Sequence, residues 1–259
     1  MIYWDIIRFS FLRFFAYPFE IIASTAKRAA EVVFLIIFWS IYAKSTSQEI
    51  SIPQISAYFL IAMGIADLTM SRWGAFSSII GSQVKSGQIS NYMIKPTNLI
   101  WTLYSISLGR NGLRLMLAVI NVVIGIAIYP PRSIGSVILF IVFFILSWFI
   151  SFAYNLFEGT LYLHFTDASG IRNSLENFIR VFTGALIPIY LFPTRLREIV
   201  SFLPFPAMVY GPTNALTSSL SSINIVFDIS VAVFWAIFLN VATRMWWNYS
   251  MKKYEAVGI

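Results

Sequence analysis

The sequence predicts an all-α polytopic membrane protein with six transmembrane helices, and three observations carry that prediction. Six stretches are apolar enough to cross a bilayer. Charged residues make up only 11% of the chain against 58% hydrophobic, where a soluble domain carries about 25% charged. Basic residues also sort to one side of the topology that six spans create. The clearest stretch, Ile134–Phe157, contains no Asp, Glu, Lys, Arg or His. Thirteen Val, Ile, Leu and Phe residues lie between Val137 and Phe152, favouring insertion by about 4–8 kcal/mol at roughly 0.3–0.6 kcal/mol each. A soluble core helix has no need of such a run.

The expected spans are Ala29–Ala43, Ile55–Trp73, Leu113–Tyr129, Ile134–Phe157, Phe178–Phe192 and Ile223–Trp247. The first and fifth are short against the ~20 residues a span needs. The first gains length if it reaches back through Ile21 and Ile22, with Lys27 and Arg28 snorkelling. Polar connections are too short to fold as a soluble unit, so residues 1–259 read as a single membrane domain. With six spans, 14 of the 18 Lys and Arg fall on the side of the termini, which the positive-inside rule places in the cytoplasm. Trp73, Trp101, Trp246 and Trp247 lie at that same boundary, where amphipathic rings settle. The net charge of +7 is then a match to anionic lipid head groups rather than to nucleic acid.

Before the first span, Trp4, Ile7, Phe11, Phe14 and Phe15 share a face at helical spacing. They predict an amphipathic helix in the cytoplasmic interface, ending near Pro18, with a first half-span or packing against other helices as the alternatives. Residues 82–98 form the longest polar connection, yet include Val84, Ile89, Tyr92, Met93 and Ile94. Either a short docking helix or a packed loop accounts for those apolar residues. The segment Thr194–Asn224 is apolar but carries Pro204, Pro206 and Pro212, which rule out a continuous span. A re-entrant element shielded by other helices fits it. Gly184 and Pro188 interrupt the fifth span, and breaks of this kind mark transport paths.

Chemistry by this chain alone finds little support. Cysteine is absent, so thiol catalysis and disulfides are excluded. The single histidine, His164, lacks the partners a metal site needs. No Gly-x-Ser-x-Gly elbow and no phosphate loop occur; Gly81 and Gly87 bracket five residues, but Gln88 follows where Lys is required. Within the spans, Asp67 reads as a path-lining or helix-pairing carboxylate, or as an edge residue shielded by Arg72. Arg110 and Arg114 are expected to stack at i, i+4 on the foot of the third span, snorkelling to lipid phosphate as the leading reading. Glu158 and Asp228 read as boundary residues.

The run Lys85-Ser-Gly-Gln-Ile-Ser-Asn-Tyr-Met-Ile-Lys-Pro-Thr-Asn98 resembles the cytoplasmic motif of ABC-2 type exporter permeases. Gly184-Ala-Leu-Ile-Pro-Ile-Tyr-Leu-Phe-Pro193 and Leu203-Pro-Phe-Pro-Ala-Met-Val-Tyr-Gly-Pro212 resemble the elements that follow the fourth span in the same family. Lys85 and Gln88 depart from it, standing where many members carry a carboxylate. The resemblance implies the transmembrane subunit of an ATP-driven exporter in the cell membrane. Residues 82–98 become its coupling helix, with Val84, Lys85, Gly87, Ile89, Tyr92, Lys95 and Pro96 meeting a separate ATPase subunit. Trp4, Ile7, Phe11 and Phe14 form the interface helix. Asp67, Gly184 and Pro188 line the path, and Pro204, Phe205 and Pro206 form an extracytoplasmic re-entrant hairpin. ATP and Mg belong to the ATPase, no cofactor to this chain, and a second permease chain, identical or paralogous, completes the pathway. Few fixed charges line the spans, which suits an amphipathic or hydrophobic cargo. A non-transporting membrane scaffold is the competing reading.

Overall fold

The computed structural model describes residues 2–12, 18–45, 51–69, 75–165, 167–218 and 224–254. Thirteen α-helices run through them in chain order: α1 (Ile2–Leu12), α2 (Pro18–Ser45), α3 (Ile52–Leu68), α4 (Ala75–Lys85), α5 (Ile89–Met93), α6 (Leu99–Arg110), α7 (Gly112–Ile128), α8 (Ile134–Leu161), α9 (Ser169–Phe182), α10 (Thr194–Ser201), α11 (Phe205–Met208), α12 (Tyr210–Thr217) and α13 (Ile225–Lys253). A 3₁₀ turn, Ile189–Leu191, sits between α9 and α10. Among the described residues there is no strand.

The long helices begin where local chemistry allows. Ser51 accepts from the Gln54 amide, with Pro53 in the first turn of α3. Asn98 accepts from the Trp101 amide and Ser133 from the Ser136 amide. Each side chain satisfies an amide that the first helical turn leaves without a partner. Among the described residues two helices, α8 and α13, are long and apolar enough to cross a membrane, and α6 with α7 makes a third crossing if that bent pair counts as one. Helix α3 is apolar but 17 residues long. Helix α2 spans 28 residues, reaching back past Ile21 as the sequence allowed.

Three expectations change. The fifth span is not one helix: α9 ends at Phe182, and the chain breaks at Gly184 before the 3₁₀ turn. The third span is preceded by α6 at an angle of 67°. That bend lies at Asn111, whose side-chain amide donates to the Ser107 carbonyl at 2.8 Å. Arg110 and Arg114 therefore belong to different helices and do not stack. Glu158 is fully buried in α8, accepting from Tyr154 Oη at 2.7 Å and Ser77 Oγ at 3.0 Å. Phe14, Phe15, Arg72 and Trp73 lie outside the described residues.

Two packed cores organise the helices. One gathers α2, α3, α8, α11, α12 and α13 around Tyr58, Phe59, Met63, Ile150 and Met208. The other joins α4, α5, α6 and α8 around Phe76, Ile80, Leu103, Phe152 and Leu156, with Trp247 from α13. Helix α9 buries Glu176 and Ile179, while Ile171, Asn173, Ser174, Asn177 and Phe178 are exposed.

Candidate functional site

The 82–98 segment folds as the end of α4, a turn, the single-turn helix α5 and a non-helical tail. Gly87 makes the turn with φ of 68°, the left-handed region in which a side chain is strained. Its amide bonds the Val84 carbonyl at 3.0 Å. Ile89 is completely buried, and Val84 and Tyr92 pack half-buried against the same core. These three predicted coupling residues therefore fasten the segment to its own chain rather than present a docking face. The outward surface is made by Gln88, Asn91, Met93, Ile94, Lys95 and Pro96, with Ile94 84% exposed. Lys95 lies 5.1 Å from the Tyr92 ring centroid. Met93 and Ile94 were visible as apolar residues in the sequence, but which apolar positions point outward depends on the break at Gly87.

Lys85 reaches across to the α8–α9 connection, donating to Asp167 Oδ1 at 2.7 Å and Ser169 Oγ at 3.0 Å. The Ser169 amide donates to the same carboxylate oxygen at 2.8 Å. These bonds, Lys85 foremost, hold the Asp167 carboxyl well below the usual carboxylate range. Helix α1 packs on α6 through Ile7 and Ser10, whose backbone and side chain meet the bare face of Gly109, while the Phe11 ring lies on Gly112. Tyr3 Oη accepts from the Asn98 amide at 3.3 Å, tying α1 to the tail of the 82–98 segment. Trp4 is 69% exposed, and Phe9 and Leu12 are exposed with it. The apolar surface of α1 is thus divided between the protein and its surroundings, not confined to one face.

Of the predicted path residues, Asp67 is buried and pairs with Arg28 of α2, which the sequence placed as a snorkelling residue. Glu31, one turn further along α2, accepts from Arg180 of α9 at 2.7 Å. Two charge pairs thus join α2 to α3 and to α9 in an apolar setting, where an unpaired charge is costly. The signal in the sequence was Arg28 and Glu31 at i, i+3, on one helix face.

Gly184 holds φ of +82°. Its carbonyl accepts from Tyr58 Oη at 2.8 Å, and the neighbouring Thr183 carbonyl accepts from the Tyr210 amide at 3.0 Å. Pro188 is buried and precedes the 3₁₀ turn. Pro204, Phe205 and Pro206 initiate α11, which packs against α8 and α9. The irregular backbone from 184 to 217 obtains donors from elsewhere: Trp39 Nε1 to the Leu186 carbonyl at 3.0 Å, Trp235 Nε1 to Phe202 at 2.8 Å, and Gln54 Nε2 to Thr217 at 2.9 Å. Ser147 Oγ donates to the Met208 carbonyl, and Arg197 Nη2 to those of Tyr190 and Phe192 at 2.7 and 3.0 Å. Ser147 lies about 20 Å along α8 from Ile134 at 1.5 Å per residue. Non-helical backbone at such depth requires this supply of donors.

Among the described residues no three His, Cys, Asp or Glu come together as metal ligands. A search of curated proteins finds no match to the chain. A family model described as ABC-2 family transporter protein does match, over residues 28–258. That span takes in the 82–98 segment, both charge pairs and the whole of the irregular 184–217 backbone. The chain is therefore a multi-pass membrane protein and a transport permease subunit, and it belongs to the ABC-2 family of transporters.

Proposed function

We propose that this chain is the transmembrane subunit of an ATP-driven exporter, energised by a separate ATPase subunit and paired with a second permease chain. Its termini and the 82–98 segment face the cytoplasm. The observation that carries the reading is α5: Ile89 and Tyr92 clamp it from within, while Met93, Ile94, Lys95 and Pro96 stand outward as a small apolar and basic ridge. A ridge so mounted transmits a push instead of absorbing it.

The push has a route. Lys85 couples α4 to Asp167 and Ser169 at the start of α9, and α9 runs to the Gly184 junction that the Tyr58 hydroxyl and Tyr210 amide hold. Closure of an ATPase dimer against α5 would thus reach the 194–217 helices, which act as the extracytoplasmic gate over an amphipathic cargo. Pull-down of the intact chain from its native membrane, with identification of any co-purifying phosphate-loop ATPase, tests the coupling. Ile94→Asp with Lys95→Glu is expected to abolish recovery of the ATPase while leaving the chain monodisperse. Undiminished recovery would remove the ridge from the interface.

A further inference from the structure

A cavity of about 550 Å³ opens between the first half of α3, α8, the 189–218 segment and the first turns of α13. Its size falls in the ~300–1,000 Å³ range of small-molecule sites. Apolar walls come from Phe143, Leu203, Phe227 and Val231. Three charged residues line it: Arg197, Glu198 and Asp228. Their availability differs. Arg197 is engaged, with Nη2 on the carbonyls of Tyr190 and Phe192. The carboxylates of Glu198 and Asp228 make no hydrogen bond or ion pair among the described residues. Asp228 is half-buried in the first turn of α13, where the helix dipole favours negative charge without using the carboxylate's acceptor oxygens. The sequence placed it as a plain boundary residue; the fold makes it a wall of the cavity.

We propose that this cavity binds the cargo and that its ligand is an organic cation with an apolar body. The charge is set on Asp228, with Glu198 at the rim, and the body lies against Phe143, Phe227 and Val231. A carboxylate among aromatic rings attracts a weakly hydrated cation twice over, by charge and by the ring faces. An anion of the same shape meets two carboxylates and a single arginine whose Nη2 is already bonded to two carbonyls. The inference rests on the exporter reading for the word cargo, but its test does not involve the ATPase.

The complete chain in phosphatidylcholine nanodiscs is dialysed against tetraphenylphosphonium and, separately, tetraphenylborate, which share a shape and differ in sign; empty discs give the partition background. Saturable binding of the phosphonium alone is expected. Asp228→Asn should weaken it by at least about tenfold, equivalent to about 1.4 kcal/mol, and Asp228→Glu should retain most of it. Val231→Trp, which fills the cavity without touching charge, should also weaken it. Equal binding of the two ions by the unaltered chain overturns the proposal, as does phosphonium binding indifferent to Asp228→Asn and Val231→Trp together. If the ATPase pull-down succeeds while binding fails, only this site falls; if binding succeeds while the pull-down fails, only the coupling does.

Discussion

Gly184→Ala adds one methyl group at the junction between α9 and the 189–217 elements, and two costs follow from the geometry. At φ of +82° an L-residue is disfavoured by about 1–2 kcal/mol. The new Cβ would also lie 2.8 Å from Tyr210 Cβ and 3.0 Å from Tyr58 Oη, inside contact distance, and forcing a methyl into a packed site costs about 1–3 kcal/mol. Tyr58 cannot simply withdraw, because its hydroxyl is bonded to the Gly184 carbonyl. The sum is about 2–5 kcal/mol. At about 2–4 °C per kcal/mol, this lowers the melting temperature by roughly 4–20 °C, read as thermal loss of monodisperse protein in detergent. Tyr58→Phe keeps the ring and removes only the donor, leaving the carbonyl unsatisfied for about 1–3 kcal/mol. If Gly184→Ala melts with the unaltered chain, the left-handed turn and the packing around it are not as described.

Other outcomes follow from the same contacts. Glu158→Leu removes the acceptor of the half-buried Tyr154 hydroxyl and one acceptor of the buried Ser77 hydroxyl and should destabilise by about 1–3 kcal/mol; Glu158→Gln, which keeps an acceptor, should cost less in the same melt. Gly109→Val drives a side chain into the backbone of α1 at Ile7, so limited proteolysis should cleave within residues 2–12 faster while the remaining helices stay protected. Asp167 has a carboxyl held below its usual range, so its contribution is complete above the ordinary carboxylate pKa and lost only as pH falls through the lowered value. Going from about pH 7 to about pH 5 should leave protection of the Ser169 amide unchanged after correction for intrinsic exchange, whereas Asp167→Asn should reduce that protection at both.

Long apolar runs were legible because composition alone decides them. Ile134–Phe157 lies within α8, and Ile223–Trp247 overlaps α13 from Ile225 onward, with α13 continuing past Trp247 to Lys253. Breaks were harder. Proline density marked the 204–212 segment, and Gly109-Arg-Asn-Gly112 held a local break signal at Asn111, but its 67° angle depends on α6 and α7 packing on different partners. The fifth span misled because apolar content from Phe178 to Phe192 is high, while its geometry is governed by one left-handed glycine. At the 82–98 segment the residue types were readable and their direction was not: Ile89 and Ile94 are the same amino acid, one fully buried and the other nearly bare. The spacing of Arg28 and Glu31 marked one charged face of α2, but not its partners: Asp67 lies 39 positions from Arg28 and Arg180 lies 149 from Glu31, separations that no helical period spans.

The hydrogen bonds on the irregular backbone also bear on how the protein is made. Phe202 emerges during synthesis before Trp235, yet Trp235 in the last helix supplies the donor for its carbonyl. Until α13 has been made, the Phe202 carbonyl at the end of α10 lacks this donor, so the contact that ties α10 to α13 can form only after residue 235 has emerged.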